Sequence, residues 1–396
     1  MRILFFAPFK PLDHPQPSGD RVIGQGLFDF LASRGHEVRV ASRLRTRWIF
    51  RRPWMWPRAL AEGLRVRRLV RDRRPDAWLT FHAYYKAPDL LGPVAARAGI
   101  PYFVFQGMYA TKYRRRVDTW PGFILNRRAL LAADHVFVNR ALDGENLARL
   151  LPPDRVTLVR PGLDPSGFAF DPAARERLRA EWGAGNRPVV LSAAMFRDDV
   201  KTESLAFLLS ACGALSEAGL DFLLVLAGDG VMRDHLAALS GRLLPGRVRF
   251  LGRVDRERMP AVYSAADVFA FPGIRESLGM VFLEAQSARL PVAALADGGI
   301  PGVVENNVTG FLTPPGERLP YARALARLIL CPDLARSMGR AAEARVRSLH
   351  DSRQNYLEME RVLVETVGAR KRGREHGESE ADGRKKSSAK DARECV

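Results

Sequence analysis

The stretch Phe271-Pro272-Gly273-Ile274-Arg275-Glu276-Ser277-Leu278-Gly279-Met280-Val281-Phe282-Leu283-Glu284-Ala285 changes character twice within a few turns of chain. An apolar strand ends at Phe271, Pro272 and Gly273 mark a loop, and a helix opens around Ser277–Gly279. The same sequence of strand, loop and helix recurs on both sides of it. Around it, short apolar runs at Val189–Ala193, Phe222–Ala227, Val248–Leu251, Val268–Phe271, Pro291–Ala294 and Gly310–Leu312 read as strands. Helical patterns fall between them at Glu203–Ala218, Met232–Leu243, Met259–Ser264, Met280–Ala288 and Tyr321–Leu330. An earlier series repeats the alternation. Its strands are Ile3–Ala7, Glu37–Ala41, Ala77–Phe81, Tyr102–Phe105, His135–Val138 and Val156–Val159. Its helices are Gly24–Arg34, Ala59–Arg73, Leu90–Ala98, Phe123–Ala132 and Leu142–Leu151. Strands of four to six residues alternating with longer helices form parallel βαβ units. Two such series predict an α/β chain of two doubly wound domains, with ligands at the carboxyl ends of the strands.

The segment between the series, Arg160-Pro161-Gly162-Leu163-Asp164-Pro165 through Asn186-Arg187-Pro188, is rich in Pro, Gly and Asp and carries one helical stretch, Pro172–Trp182. A chain of 396 residues with 47% apolar content buries a core without staples, which excludes collagen, coiled coil and wholesale disorder. The cysteines Cys212, Cys331 and Cys395 show no metal-binding or disulfide spacing, which fits a reducing compartment. No apolar run reaches the roughly 18 residues needed to span a bilayer. The opening run Met1–Pro8 is too short for a signal-peptide core. The charge is lopsided: residues 1–160 carry 29 basic and 13 acidic side chains, whereas residues 161–366 carry 24 and 25. A one-sided positive field attracts polyanions such as an anionic membrane, a phosphorylated glycolipid or nucleic acid; arginine-rich composition with solvated faces is the competing reading.

In the opening stretch, free N–H groups and the dipole at the helix start make an anion site. Glu276 stands at that start, and a carboxylate there can accept two hydroxyl hydrogen bonds from a sugar or ribose diol. Glu284 lies two turns along in an apolar helix, where an unpaired charge would be costly, and this points to a ligand for it. A capping Glu276 with a solvated Glu284 is the competing structural reading.

This stretch resembles the E-x7-E signature of the retaining GT-B glycosyltransferases of family 4, the glycosyl transferases group 1 type. The resemblance continues through Leu226-Ala227-Gly228-Asp229-Gly230, Phe250-Leu251-Gly252-Arg253-Val254, Tyr263-Ser264-Ala265-Ala266-Asp267-Val268, Leu290-Pro291-Val292-Ala293, Asp297-Gly298-Gly299-Ile300-Pro301 and Asn307-Val308-Thr309-Gly310-Phe311-Leu312. It is looser in the first half, at Pro17-Ser18-Gly19-Asp20 and Val159-Arg160-Pro161-Gly162-Leu163-Asp164. It implies two Rossmann-like domains facing across a cleft. Residues 1–165 would bind the acceptor and 166–350 the nucleotide sugar. A helix over 351–367 would return to the first domain, and the charged tail 368–396 is expected to be disordered. In this family likeness Glu284 would hold the ribose, and Glu276 the transferred sugar. Amides around Ser277, Leu278 and Gly279 would hold the diphosphate or sugar. Arg197 and Lys201 resemble the basic pair for the diphosphate, and Gly252 and Arg253 would line the base pocket. Gly19 resembles the glycine that lets backbone approach the diphosphate. Two cations beside helix-end amides stabilise a departing diphosphate without a metal, so neither metal nor cofactor is implied. Retention would follow from same-face attack with the phosphate taking the acceptor's proton; a dedicated carboxylate, Glu276, is the rival.

The chain also departs from the pattern. Gln106, in Phe105-Gln106-Gly107, stands where the family often has histidine, and His82 ends a strand facing the expected cleft. Both are acceptor candidates. Gly302 replaces a usual glutamate, and Arg289 holds a position often taken by a helix-ending glycine. Residues 43–74 hold twelve arginines with Trp48, Trp54 and Trp56. That mixture suits an anionic membrane surface, with nucleic acid not expected as a partner; tryptophans packed between helices are the alternative. The implied function is sugar transfer from a nucleotide-diphosphate sugar to a saccharide or lipid-linked acceptor, in cell-surface polysaccharide or lipopolysaccharide biosynthesis. The expected location is cytoplasmic, peripheral on the inner face of the plasma membrane. A nucleotide-sugar epimerase or hydrolase of the same architecture is the alternative, and a noncatalytic membrane- or nucleic-acid-binding protein is a third reading.

Overall fold

A computed structural model describes residues 1–13 and 19–394, with side chains as far as residue 373. Twelve strands form two six-stranded parallel sheets among the described residues. In the first sheet they are β1 (Arg2–Phe6), β2 (Glu37–Ser42), β3 (Ala77–Phe81), β4 (Tyr102–Phe105), β5 (His135–Val138) and β6 (Val156–Leu158). In the second they are β7 (Val189–Ala193), β8 (Leu223–Ala227), β9 (Val248–Gly252), β10 (Val268–Ala270), β11 (Val292–Leu295) and β12 (Gly310–Thr313). The spatial orders are β2-β1-β3-β4-β5-β6 and β12-β11-β10-β7-β8-β9. Each order reverses direction once, between β1 and β3 and between β7 and β10. Such switch points open a crevice at the carboxyl ends of the strands.

The chain divides into two compact units, one of Met1–Val159 plus the chain from Tyr356 onward, the other of Arg160–Asn355. The divisions fall a few residues from the sequence boundaries at 165 and 350. Interior strands are buried on both faces: every residue of β3 (AWLTF) and β8 (LLVLA) is buried. In the first unit the two-residue period sorts side chains cleanly. Leu4 and Phe6 join Trp78, Tyr102 and Val104 in one core layer. Ile3 and Phe5 join Leu79, Phe81, Phe103 and Phe137 in the other.

The last helix, Ser352–Glu394, lays Tyr356, Met359, Leu363 and Val367 on that second layer. Its Glu360, nearly buried, accepts from His36 at 2.7 Å and Arg34 at 2.9 Å. The expected disorder from residue 368 is corrected, because the helix runs on to Glu394. The tail lacks an apolar face but is rich in Arg, Lys, Glu and Ala, which hold helix well. Arg370 and Lys371 also tie its first turns to Asp134 and Asp76. Residues 14–18, including part of the Pro17–Asp20 motif, and Cys395 lie outside the described residues.

One buried histidine in this unit makes stability pH-dependent. His135, 6% exposed, contacts Thr157 Oγ1 at 2.9 Å across the β5–β6 pair. Burial first, then the charge of Arg155, lowers its pKa from 6.5 to about 4. A depressed histidine is neutral when folded, so below pH 6.5 the unfolded chain binds the extra proton. Stability then falls as pH drops from 6.5 to 4, by up to about 3 kcal/mol. His135→Gln removes this share. Wild type should lose about 2 kcal/mol more than the variant between pH 7 and pH 5 in denaturant melts. Parallel losses in both proteins would refute the assignment.

Candidate active site

The second unit builds its site from the two loops flanking the β7–β10 switch point. After β7 the chain runs through Ala194–Asp199 into the helix Val200–Glu217. Asp199 caps that helix, its carboxylate accepting from the Lys201 amide at 2.8 Å. The cap sets Lys201 in the first turn. After β10 the loop through Glu276 leads to the helix Met280–Ser287, whose N-cap is Gly279 in a left-handed conformation (φ 74°). The two loops meet: the Lys201 ammonium pairs with the Glu276 carboxylate and lies 5.2 Å from the Phe271 ring centroid.

The other Glu276 oxygen accepts from the Ser277 amide at 3.1 Å. The amides of Leu278 and Gly279 donate to no acceptor among the described residues. Glu276 therefore occupies the spot where a cation and an amide of the loop before the helix converge; the helix itself opens at Met280, later than the expected start around Ser277–Gly279. The turn is braced from behind by Gly298 and Gly299, and Gly299 N–H donates to Glu276 O at 2.8 Å. A Cβ on Gly298 would lie 1.9 Å from Glu276 O and one on Gly299 2.0 Å from Ser277 O, so only glycine fits either place. Asp297 completes the brace by accepting from the Arg275 amide at 2.8 Å.

Arg197 lies on the loop before Lys201, exposed, with its guanidinium 2.8 Å from Met195 Sδ. It makes no contact with the Ser277 turn among the described residues. Glu284 sits farther along the same helix, with its side chain 14% exposed. Burial raises its pKa, and the Arg256 charge and the Tyr263 and Arg256 hydrogen bonds oppose that shift. Tyr263 OH donates to it at 3.0 Å and Arg256 approaches at 3.3 Å. Protein groups thus already meet the charge for which the sequence suggested a ligand, and the reading of a solvated Glu284 is corrected. Both partners lie in the β9-to-β10 connection, and Tyr263 was already in a matched motif but had been given no role. Gly252 ends β9 in a left-handed conformation (φ 69°), and the exposed Arg253 follows it.

In the first unit His82 follows β3 and Gln106 follows β4. Both are buried, and both hold left-handed backbone (φ 59° and 60°) that non-glycine residues rarely adopt. Such strain, of order 1–3 kcal/mol each, concentrates at functional sites. Gln106 Oε1 has no hydrogen-bond partner among the described residues. His82 Nδ1 lies 3.1 Å from Asp20 Oδ1, off the direction of a good hydrogen bond. Burial works to raise the Asp20 pKa, but the neighbouring His82 and Lys10 outweigh it and hold the carboxyl low. Phe9 and Tyr84 pack on His82 with ring centroids 5.0 Å away. Asp20, in the first turn of the helix Gly19–Ser33, belongs to the quoted Pro17–Asp20 motif but was given no role there, and residue-type patterns gave no signal for Phe9 or Tyr84, which come from separate loops. Gly19 opens the helix Gly19–Ser33, with open space where a side chain would be.

Known structures share this architecture. Sucrose-phosphate synthase from Thermosynechococcus elongatus superposes with a TM-score of 0.71 at 20% identity, over 93% of this chain and 99% of that one. Anabaena HepE in complex with UDP gives a TM-score of 0.72 at 19% identity, over 92% and 100%. The fold is GT-B, an α/β architecture of two Rossmann-like doubly wound units. Glycosyl transferases group 1 matches residues 174–345 and Glycosyltransferase Family 4 matches residues 26–166. The chain belongs to this family of group 1 glycosyl transferases. A D-inositol 3-phosphate glycosyltransferase of Streptomyces griseus is 32% identical over 70% of this chain and 65% of its own length. A GDP-mannose-dependent alpha-(1-6)-phosphatidylinositol monomannoside mannosyltransferase of Mycolicibacterium smegmatis is 32% identical over 63% and 66%. The chain thus spans less than two thirds of the length of these curated relatives, and in one from Saccharomonospora viridis 51%.

Proposed function

We propose that the protein transfers a sugar from a nucleotide diphosphate to a saccharide or lipid-linked acceptor, with retention of anomeric configuration. The observation that carries this reading is the meeting of Lys201, Glu276 and the Ser277 amide at the β7–β10 switch point. An ammonium and a backbone amide of the loop leading into a helix, held together there, suit a diphosphate. Without a ligand, the Glu276 carboxylate takes the place of that anion. With donor bound, Lys201, Arg197 and the amides of Ser277, Leu278 and Gly279 turn to the phosphates, freeing Glu276 to accept from sugar hydroxyls. Glu284 accepts from the ribose hydroxyls beside Tyr263, and Gly252 and Arg253 line the base pocket. Breaking the anomeric bond moves negative charge onto the phosphate, and donors already in place stabilise that change more than the ground state. The departing phosphate takes the acceptor's proton, so no protein base is required and no metal is invoked.

His82, Gln106 and Gly19 serve the acceptor and the approach of backbone to phosphate. The relatives' names include D-inositol 3-phosphate and phosphatidylinositol monomannoside, both of which bear phosphate. A phosphate-bearing acceptor suits this chain as well: Arg47 lies over Phe9 at 5.7 Å and Lys86 over Tyr85 at the same distance. The setting is assembly of cell-surface polysaccharide or lipopolysaccharide. The test is turnover of UDP-, GDP- and ADP-sugars with and without acceptor. One donor should be consumed in step with acceptor and give a product of unchanged anomeric configuration. Inversion, or equal turnover without acceptor, would overturn the reading.

Peripheral docking on an anionic membrane through residues 43–74 belongs to the same proposal. Among the described residues no helix is long and apolar enough to cross a membrane. Of the three tryptophans, Trp54 is 72% exposed, while Trp48 packs on Phe50 and Tyr85. Trp54→Ala should weaken sedimentation with phosphatidylglycerol vesicles several-fold, and Trp48→Ala should act through stability instead. Unchanged vesicle binding in Trp54→Ala would remove the docking assignment.

A further inference from the structure

The carboxyl edge of the first sheet carries the acceptor candidates; its amino edge carries a different feature. There a cleft of about 1210 Å³ opens below the starts of β1, β3 and β4. Its walls come from chain segments far apart in sequence. Arg67, Arg68, Arg71 and Arg74 come from the helix Trp56–Arg73 and its end. Arg97 ends the helix Gly92–Arg97, Arg2 starts β1, and Arg370 and Lys371 come from the last helix.

Pairing within the protein accounts for only part of this charge. Lys371 is taken by Asp76 at 2.7 Å, Arg370 by Asp134, and Arg71 by Asp72 at 3.2 Å. Arg2 donates to the Arg73 carbonyl at 2.8 Å. Arg67, Arg68, Arg74 and Arg97 have no carboxylate partner among the described residues. The two helix carboxyl ends at the cleft offer about half a negative charge each, too little to balance four arginines. Arg74 also holds left-handed backbone (φ 44°), a helix-ending position where glycine would be free of strain. The floor is apolar, with Val70, Val94, Ile100 and Pro101. Converging unpaired guanidiniums over a carbon-lined floor match a compact carbon frame carrying several phosphates.

We propose that this amino-edge cleft is a second ligand site, separate from the acceptor candidates on the same unit, which binds a compact, multiply phosphorylated molecule. It does not depend on the transfer reaction proposed for the switch-point residues.

Titration calorimetry of the full chain with inositol hexakisphosphate as probe tests it. One molecule should bind per chain, more weakly as salt rises, and inorganic phosphate should bind far more weakly. Arg67 and Arg68 are exposed, so R67E/R68E should fold with an unchanged melting temperature and lose tenfold or more in affinity. R114E/R115E, the same charge change on the same unit outside the cleft, should lose no more than about twofold by screening alone. Equal losses in the two variants would mean diffuse attraction and would overturn the site, as would wild-type affinity in R67E/R68E. Phosphatidylglycerol vesicles separate the sources of phosphate. Arg67 and Arg68 also lie in the docking segment 43–74, so sedimentation that R67E/R68E loses, R114E/R115E retains and the probe competes away assigns lipid headgroups, and sedimentation unchanged in R67E/R68E assigns a soluble ligand.

Discussion

Lys201→Ala should lower the transfer rate by about 10²–10³-fold while leaving the fold intact, the usual cost of losing one charged donor to a leaving group. Lys201 is the cation that the structure places against Glu276, and its side chain is 30% exposed. Removing it leaves the Glu276 carboxylate with the Ser277 amide alone and, under the proposed function, would leave the donor's diphosphate short of a counter-charge. Glu276→Ala should lower transfer to a similar or greater extent, because under the proposed function the sugar would lose its hydroxyl acceptor. The informative variant is the double one. If the pair acts as a unit, with Glu276 holding Lys201 in place between turnovers, the double variant should be scarcely slower than the worse single. Steady-state rates with saturating donor measure this. Full activity in Lys201→Ala, or strictly multiplicative losses, would remove the pair from the mechanism.

The second large effect is on stability. Gly299→Ala should cost about 3 kcal/mol or more, because the added Cβ would lie 2.0 Å from the Ser277 carbonyl. Backbone cannot yield there without moving the turn that carries Glu276. For a unit of this size the melting temperature should fall by roughly 6–12 °C. Gly302→Ala is the matched control, since a Cβ at that position meets nothing within 4 Å. A Gly299→Ala protein melting within a degree or two of its Gly302→Ala counterpart would show that the brace is slack.

The strands were legible because a buried parallel strand is a short apolar run between turn residues, and that is a local property. All twelve lie within a residue or two of their sequence positions. The helix Pro332–Leu349 was not anticipated, although Pro332 at its first turn and Ala335, Met338, Ala342 and Val346 on one face announce it. The tail helix escaped because it lacks an apolar stripe over most of its length, and intrinsic propensity is a weak signal beside packing. Glu284 was legible as a carboxylate in an apolar helix, but its partners were not. Arg256 and Tyr263 reach it through the tertiary fold, 28 and 21 residues away in sequence.

Local chemistry was enough to settle that this chain alternates strand and helix in two series and that Glu276 lies in a loop leading into a helix, although the helix opens at Met280 rather than around Ser277–Gly279. Arg289, noted only because the resembled family often has a helix-ending glycine there, does hold left-handed backbone at φ 63°. Tertiary structure alone decided that Lys201 faces Glu276 across the β7–β10 switch point and that His82 and Gln106 carry strained backbone. It alone gathered arginines from three helices and a strand into one cleft. The reason is range: propensity, period and capping act over a few residues, whereas charge pairing and close backbone approach depend on which distant segments the parallel crossovers bring together.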